Sequence, residues 1–187
     1  MEKVFVSGSL RIKHLDKKVV ERLNNIISKK MQVIVGDADG VDSSIQHYLK
    51  DKEINAVVVY CSGERARNNL GFWTTHNIKT GYKIGSREFF TAKDKEMARD
   101  CDYGFMVWDA KSTGTLNNVI ELLNYKKKSV VYINKVKEFI SIKNVDDLQN
   151  LFRFMEPSSF KDADEKIGLR KKLNELKHVQ NDMFVTD

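Results

Sequence analysis

Short apolar runs alternate along this chain with stretches in which apolar residues return at every third or fourth position. The runs at 3–6, 32–35, 55–60, 103–108 and 129–133 predict buried strands, the clearest being Val4-Phe5-Val6 and Val33-Ile34-Val35. Helical spacing predicts helices over 16–29, where Val19, Val20, Leu23, Ile26 and Ile27 share a face and Asp16 stands at the N-cap, and over 41–50, where Val41, Ile45, Tyr48 and Leu49 do. Two more are predicted at 92–100 and 116–126. Strands that alternate with helices in this way predict an α/β fold, a doubly wound, mainly parallel sheet of about five to six strands with helices on both faces.

Two regions fall outside that alternation. After the last strand, 139–142 reads as an edge strand, 145–154 as a short helix, and Pro157, the only proline, as a break. A charge-rich helix follows over 162–178 with Leu169, Leu173 and Leu176 in one stripe, which docks either on its own domain or on a second subunit as a homodimer contact. The expected organisation is one domain over 1–156 and a helical appendage over 157–187. The second region, 61–90, is far longer than an ordinary strand-to-helix connection. It interleaves Arg65, Arg67, Lys83 and Arg87 with Phe72, Trp73, His76, Tyr82, Phe89 and Phe90. One reading makes it a lid whose arginines hold phosphate while Trp73 stacks on a base; the other makes its aromatic residues anchors that pin it to the domain.

Three predicted strands run directly into small, polar, glycine-containing turns followed by helices: Ser7-Gly8-Ser9, Gly36-Asp37-Ala38-Asp39-Gly40, and Ser112-Thr113-Gly114-Thr115 after Asp109. Such turns gather unpaired N–H groups at the positive end of a helix dipole, and in a parallel sheet they line one crevice. Phosphate groups of a nucleotide or nucleotide-derived small molecule are the expected ligand.

Charge and composition adjust this picture only slightly. The 32 Lys and Arg against 26 Asp and Glu give a formal charge of +6, but the lysines are scattered, and the run Lys126–Lys128 closes a helix where cations suit the dipole. No run approaches the roughly 20 apolar residues of a membrane span, so no membrane partner is expected. The chain enters its first strand at once, leaving no room for a signal peptide, and Cys61 and Cys101 lack metal-ligand spacing; both features read as cytoplasmic. The aspartates 37, 39 and 42 lack the spacing and terminal glutamate of a calcium loop, so no metal site is assigned, and the form a metal would take is Mg²⁺ accompanying a phosphate. His14, His47, His76 and His178 form no nucleophile or zinc pattern. Nucleic acid is a less favoured partner, because a single-strand groove needs a continuous basic track with stacking rings and only 61–90 offers one.

Taken together the three turns resemble a known superfamily. Val33-Ile-Val-Gly36-Asp-Ala38-Asp-Gly40-Val-Asp42 is similar to the G-x-A-x-G-x-D signature of the DNA-processing protein A family, Phe5-Val-Ser-Gly8-Ser9 to its first turn, and Ser112-Thr-Gly114-Thr115-Leu116 to its third. That third turn also resembles the G-T motif of the Lonely Guy phosphoribohydrolases. Both belong to the SLOG superfamily, so the resemblance, which spans about residues 3–133, implies a Rossmann-like nucleotide-binding domain. It implies that Gly8, Gly36, Gly40, Gly114 and Thr115 are where backbone meets phosphate or ribose, that Asp42 caps its helix, and that a second subunit completes the crevice.

Two departures shape the expected chemistry. Leu10 intervenes before Arg11 where the DNA-processing family reads Gly-Ser-Arg, and that family's further modules have no length here. Against the Lonely Guy pattern, Lys93 and Asp94 fall in the Arg-Lys place and Asn118 in that of the catalytic glutamate, and an amide does not accept a proton as a carboxylate does. Glu121, one turn along the helix, is the substitute carboxylate for an N-glycosidic hydrolase or base-exchange enzyme, with Lys93 or Arg99 on phosphate. The expected ligand-binding set is Ser7, Gly8, Ser9, Arg11, Gly36, Asp37, Gly40, Arg65, Arg67, Trp73, Arg87, Asp109, Ser112, Thr113, Gly114, Thr115 and Asn118.

Overall fold

The structure, a computed structural model, describes residues 1–182. Its elements run β1 (Lys3–Gly8), α1 (Lys17–Ser28), β2 (Gln32–Gly36), α2 (Val41–Asp51), β3 (Val57–Ser62), β4 (Thr74–Ile78), α3 (Arg87–Asp100), β5 (Tyr103–Trp108), α4 (Thr113–Asn124), β6 (Lys128–Ile133), β7 (Glu138–Ile142), α5 (Val145–Asn150), α6 (Pro157–Ile167) and α7 (Leu169–Asp182). The seven strands form one sheet in the order β4-β3-β2-β1-β5-β6-β7, parallel except for β7, which pairs antiparallel with β6. This is a Rossmann-like α/β fold. The chain winds outward from β1 through β2 and β3 to β4, then returns to β5 on the other side of β1, so the topological switch point lies between β1 and β5.

Strand alternation divides the core between the two faces. Val4 and Val6 of β1 join Val33 and Val35 of β2 under α1 and α2, packed with Val19, Leu23, Ile45 and Leu49. Phe5 and Ile34 point the other way, into a larger cluster with Met97 of α3, Leu116 and Ile120 of α4, and Leu148 and Leu151 beyond β7. The Asp16 side chain accepts the N–H of Lys18 at 2.9 Å, as the N-cap reading requires.

The segment 61–90 is not one loop. β4 lies inside it, in register with β3 from Val58 opposite Thr74 to Ser62 opposite Ile78, and α3 begins at Arg87, five residues ahead of the expected start. β4 carries no apolar alternation because it is the exposed edge strand; His76 stacks on Tyr60 with ring centroids 4.6 Å apart. A helix expected over 162–178 is two helices, divided where Gly168 adopts the left-handed conformation (φ 63°) and ends α6, with Pro157 in the first turn of α6. Leu169 is fully buried and Leu173 and Leu176 nearly so, in the same cluster as α4. The leucine stripe therefore packs on its own chain and does not offer the dimer contact considered for it. Among the described residues no helix is long and apolar enough to cross a membrane.

Candidate functional site

At the switch point the carboxyl ends of β1 and β5 part around a cleft of about 570 Å³. Ser7 and Gly8 form its floor at the end of β1, and Asp109 together with the first turn of α4, Ser112 to Thr115, forms one wall. Arg67, Arg87, Phe90, Lys93 and Asp94 form another; Ser159, Asp162 and Lys166 of α6 close a third side.

The Asp109 turn is held locally. Asp109 Oδ1 accepts the N–H groups of Lys111 and Ser112 at 2.9 and 2.7 Å, which aims α4 at the cleft, and the Ser112 hydroxyl accepts the N–H of Thr115 at 3.4 Å as N-cap. Ser9 is wholly buried, its hydroxyl accepting the N–H of Asp109 at 3.0 Å and lying 3.4 Å from Thr115 Oγ1. It latches the β1 turn to the β5 turn and does not face a ligand. Of the expected binding set, the structure brings Ser7, Gly8, Arg11, Arg67, Arg87, Asp109, Ser112, Thr113, Gly114, Thr115 and Asn118 to the cleft, together with Lys93, which the hydrolase reading placed on phosphate.

The rest of the set lies elsewhere. A Cβ on Gly36 would collide with the Asp42 carboxylate and stand 2.8 Å from Lys93 Nζ, and one on Gly40 (φ 76°) would strike the backbone of Leu10. These two glycines admit protein atoms, not a ligand; at Gly114, by contrast, the nearest such atom is Ser112 Oγ at 4.0 Å, which leaves room. Asp37 turns away to hold Arg67, whose Nε and Nη2 donate to its two oxygens at 3.1 and 2.8 Å. Burial raises the Asp37 carboxyl, but the hydrogen bonds from the Arg67 side chain and backbone outweigh it and hold the group below its ordinary value. Arg67 reaches the cleft already paired, with its guanidinium 4.5 Å from the centre of the Phe90 ring. Arg65 is exposed and lines no part of the cleft. Trp73 donates from Nε1 to the Ile54 carbonyl at 2.7 Å, at the opposite end of the sheet, and packs on the core under α1 and α2. It is an anchor and not a stacking platform.

Glu121 is likewise removed from the cleft. It is turned toward α7, where Lys172 Nζ donates to its Oε1 at 3.3 Å, so the substitute carboxylate is engaged in packing the C-terminal helices. The carboxylates that do line the cleft beside β1 and α3 are Asp42 and Asp94. Asp42 does not cap α2; it is 2% exposed and accepts the Ser7 hydroxyl at 2.9 Å. Lys93, 4% exposed, donates to Asp94 Oδ1 at 2.6 Å. Burial pushes the Asp42 carboxyl up to about 6, against the pull of Lys93. Burial also works to lower the Lys93 ammonium, but Asp94 and Asp42 outweigh it and hold that group above its ordinary value. A lysine charge shared in this way between two buried carboxylates is a fixed part of the floor, with little left for a phosphate.

The sequence reading missed Asp42 and Asp94 as cleft residues, together with Phe90, Lys111 and the α6 lip. No local pattern marks α6 as part of a site; only its packing against α4 brings Ser159 to the turn at Ser112. The signal for Asp42 was present in Gly36, since a glycine at the end of a buried strand suits a close approach of other atoms. Among the described residues no group of three or more His, Cys, Asp or Glu side chains is placed to hold a metal. Asp37, Asp39 and Asp42 diverge to Arg67, Asn68 and Ser7.

Comparison with protein-family models gave no match, and comparison with curated proteins gave none either. Function therefore rests on the site itself.

Proposed function

We propose that this chain binds a nucleotide or nucleotide-derived phosphorylated small molecule in the cleft between β1 and β5. The observation that carries this reading is the meeting, at the switch point of a parallel sheet, of an open helix N-terminus at Gly114 with the side chains of Arg11, Arg87 and Lys111. Arg87 already donates to Thr113 Oγ1 at 3.1 Å, which holds its guanidinium beside the N–H groups of α4. Lys111 and Lys166 stand at the mouth in exposed pairs with Glu156 and Asp162, at 3.6 and 3.7 Å, which a phosphate would share. A phosphate fits the N–H and guanidinium donors, and the half-buried Phe90, one face of which is covered by the Arg67 guanidinium, adds apolar surface to the lining for the rest of the molecule. The Lonely Guy-like hydrolysis reading loses its carboxylate with Glu121, so binding is the reading we carry forward.

The test is calorimetric titration with nucleoside 5′-monophosphates, the matching nucleosides, and inorganic phosphate. Monophosphates are expected to bind, and removal of the phosphate to cost about 1.5–3 kcal/mol, the range for hydrogen bonds to charged groups. Equal affinity for nucleotide and nucleoside, or binding of neither by folded protein, overturns the proposal.

A further inference from the structure

At the end of the sheet opposite the cleft, the amino ends of β1, β5 and β6 open beside α1 into a groove of about 370 Å³. It exists because the two faces of the sheet are covered unequally. On the face that carries Val4 and Phe105 only α1 and α2 contribute to the core, whereas α3 to α7 all pack on the other. Past the edge of α1, therefore, no described helix covers β6 and β7.

The floor of the groove is apolar, made by Val4, Ile26, Phe105 and Val130, and its rim is cationic. Arg22 and Lys29 share one face of α1 with Ile26, four and three residues away from it. The Arg22 guanidinium lies 4.7 Å from the centre of the Phe139 ring, a stack that fixes it and leaves its edge N–H groups for an acceptor. From the sheet side come Lys128 and Lys143. The register that sets Ser129 opposite Ile142 places these two lysines together, one residue further out on each strand of the β6–β7 hairpin, where like charges repel. No described carboxylate forms an ion pair with any of the four cations. The one acidic residue in the lining, Glu2, accepts the Tyr103 hydroxyl at 3.2 Å.

Four cations without carboxylates around an apolar floor fit a ligand that is anionic at one end and apolar along the rest. Size and charge exclude larger occupants. The volume falls at the small end of the roughly 300–1,000 Å³ of small-ligand pockets, and a two-turn helix, about 10–12 Å across, fills more than twice as much. A second copy of this chain, docked by the same face, would bring the same four cations against these. We propose that the groove is a second ligand site, independent of the nucleotide cleft, and that it takes a single-chain fatty carboxylate, its chain between α1 and the sheet and its head at the cationic rim.

The experiment is calorimetric titration of the full chain with decanoate, octanoate and 1-decanol below their aggregation limits, on the wild type and on Lys128→Glu/Lys143→Glu, two exposed positions. Decanoate is expected to saturate one site in the wild type. Octanoate, shorter by two methylenes, is expected to bind roughly tenfold more weakly, and 1-decanol, which lacks the charge, at least tenfold more weakly. The double variant is expected to lose at least tenfold in decanoate affinity and to keep its affinity for 1-decanol, with nucleotide binding unchanged. The wild-type series decides the matter even if the variant fails to fold. Decanol binding as tightly as decanoate, decanoate binding equally to wild type and variant, or no saturable binding by folded protein overturns the site, and none of these outcomes touches the reading of the cleft.

Discussion

At the carboxyl ends of β1 and β5 the sheet opens into the polar cleft of about 570 Å³, whereas at the amino ends of β1, β5 and β6 it opens, beside α1, into a groove of about 370 Å³ lined by Val4, Ile26, Met31, Phe105 and Val130. The backbone explains the contrast. At the amino end, helices finish in turns whose left-handed residue satisfies the last carbonyls locally: Lys30 (φ 55°) donates to Ile27 and Met31 to Ile26, Glu53 (φ 53°) to Lys50 and Ile54 to Leu49, Lys126 (φ 57°) to Leu123 and Lys127 to Leu122. These ends close on themselves. At the carboxyl end, α4 begins with N–H groups that its Ser112 cap only partly satisfies, and charged side chains gather around them. The same sheet thus has one end that is finished by its own chain and one that still has hydrogen bonds to make.

The sharpest way to break the polar end is Lys93→Met, which leaves Asp42 and Asp94 buried without their cation. A loss of about 3–5 kcal/mol in unfolding free energy at neutral pH is expected. The pH dependence carries a definite sign. Asp42 ordinarily titrates at 3.8 and in the fold at about 6, so its contribution to stability is complete below 3.8 and is lost as pH rises through 6. Lys93, held above its ordinary 10.5, keeps its contribution below that value and loses it only above. Denaturant titrations should therefore find the deficit of Lys93→Met shrinking from pH 7 to pH 5, as Asp42 takes up a proton; a deficit constant over that range would remove Asp42 from the account.

Gly36→Ala attacks the same cluster from the backbone side, because its methyl group would stand 2.8 Å from Lys93 Nζ and overlap Asp42. About 3 kcal/mol of destabilisation is expected from chemical denaturation, and a cost below 1 would mean that the cluster yields easily.

Trp73→Ala tests the other end. It removes the hydrogen bond to Ile54 and part of the core beneath α1 and α2, at a cost of about 2 kcal/mol, and nucleotide affinity should stay within a factor of about 2. A large fall in affinity would restore Trp73 to the site.

The smallest effect is expected at Lys126→Gly, where relief of a left-handed non-glycine residue should raise stability by about 0.5–1 kcal/mol and leave ligand binding untouched. A loss of stability there would show that the Lys126 side chain contributes more than its backbone strain removes.

The apolar runs and helical spacings by themselves determined the alternation of strands and helices, the two buried faces of β1 and β2, and the three turns that fall at strand ends, because burial of one face imposes a period that any reader of the chain can see. They determined as well that Asp16 begins a helix, since a cap acts over three residues, whereas α4 starts at Thr113 under its Ser112 cap, three residues ahead of the expected 116. Tertiary structure alone decided the rest. β4 is a strand through its pairing with β3, as its polar residues carry no period of their own. Glu121 and Asn118 lie three residues apart on α4, yet one meets Lys172 and the other the cleft, a difference set by where α7 packs. Asp37, Asp39 and Asp42 alternate in sequence as a cluster would, and the turn sends them to three different partners. Charged side chains are long and their partners distant in sequence, so a chain announces that it has them but not which of them will meet.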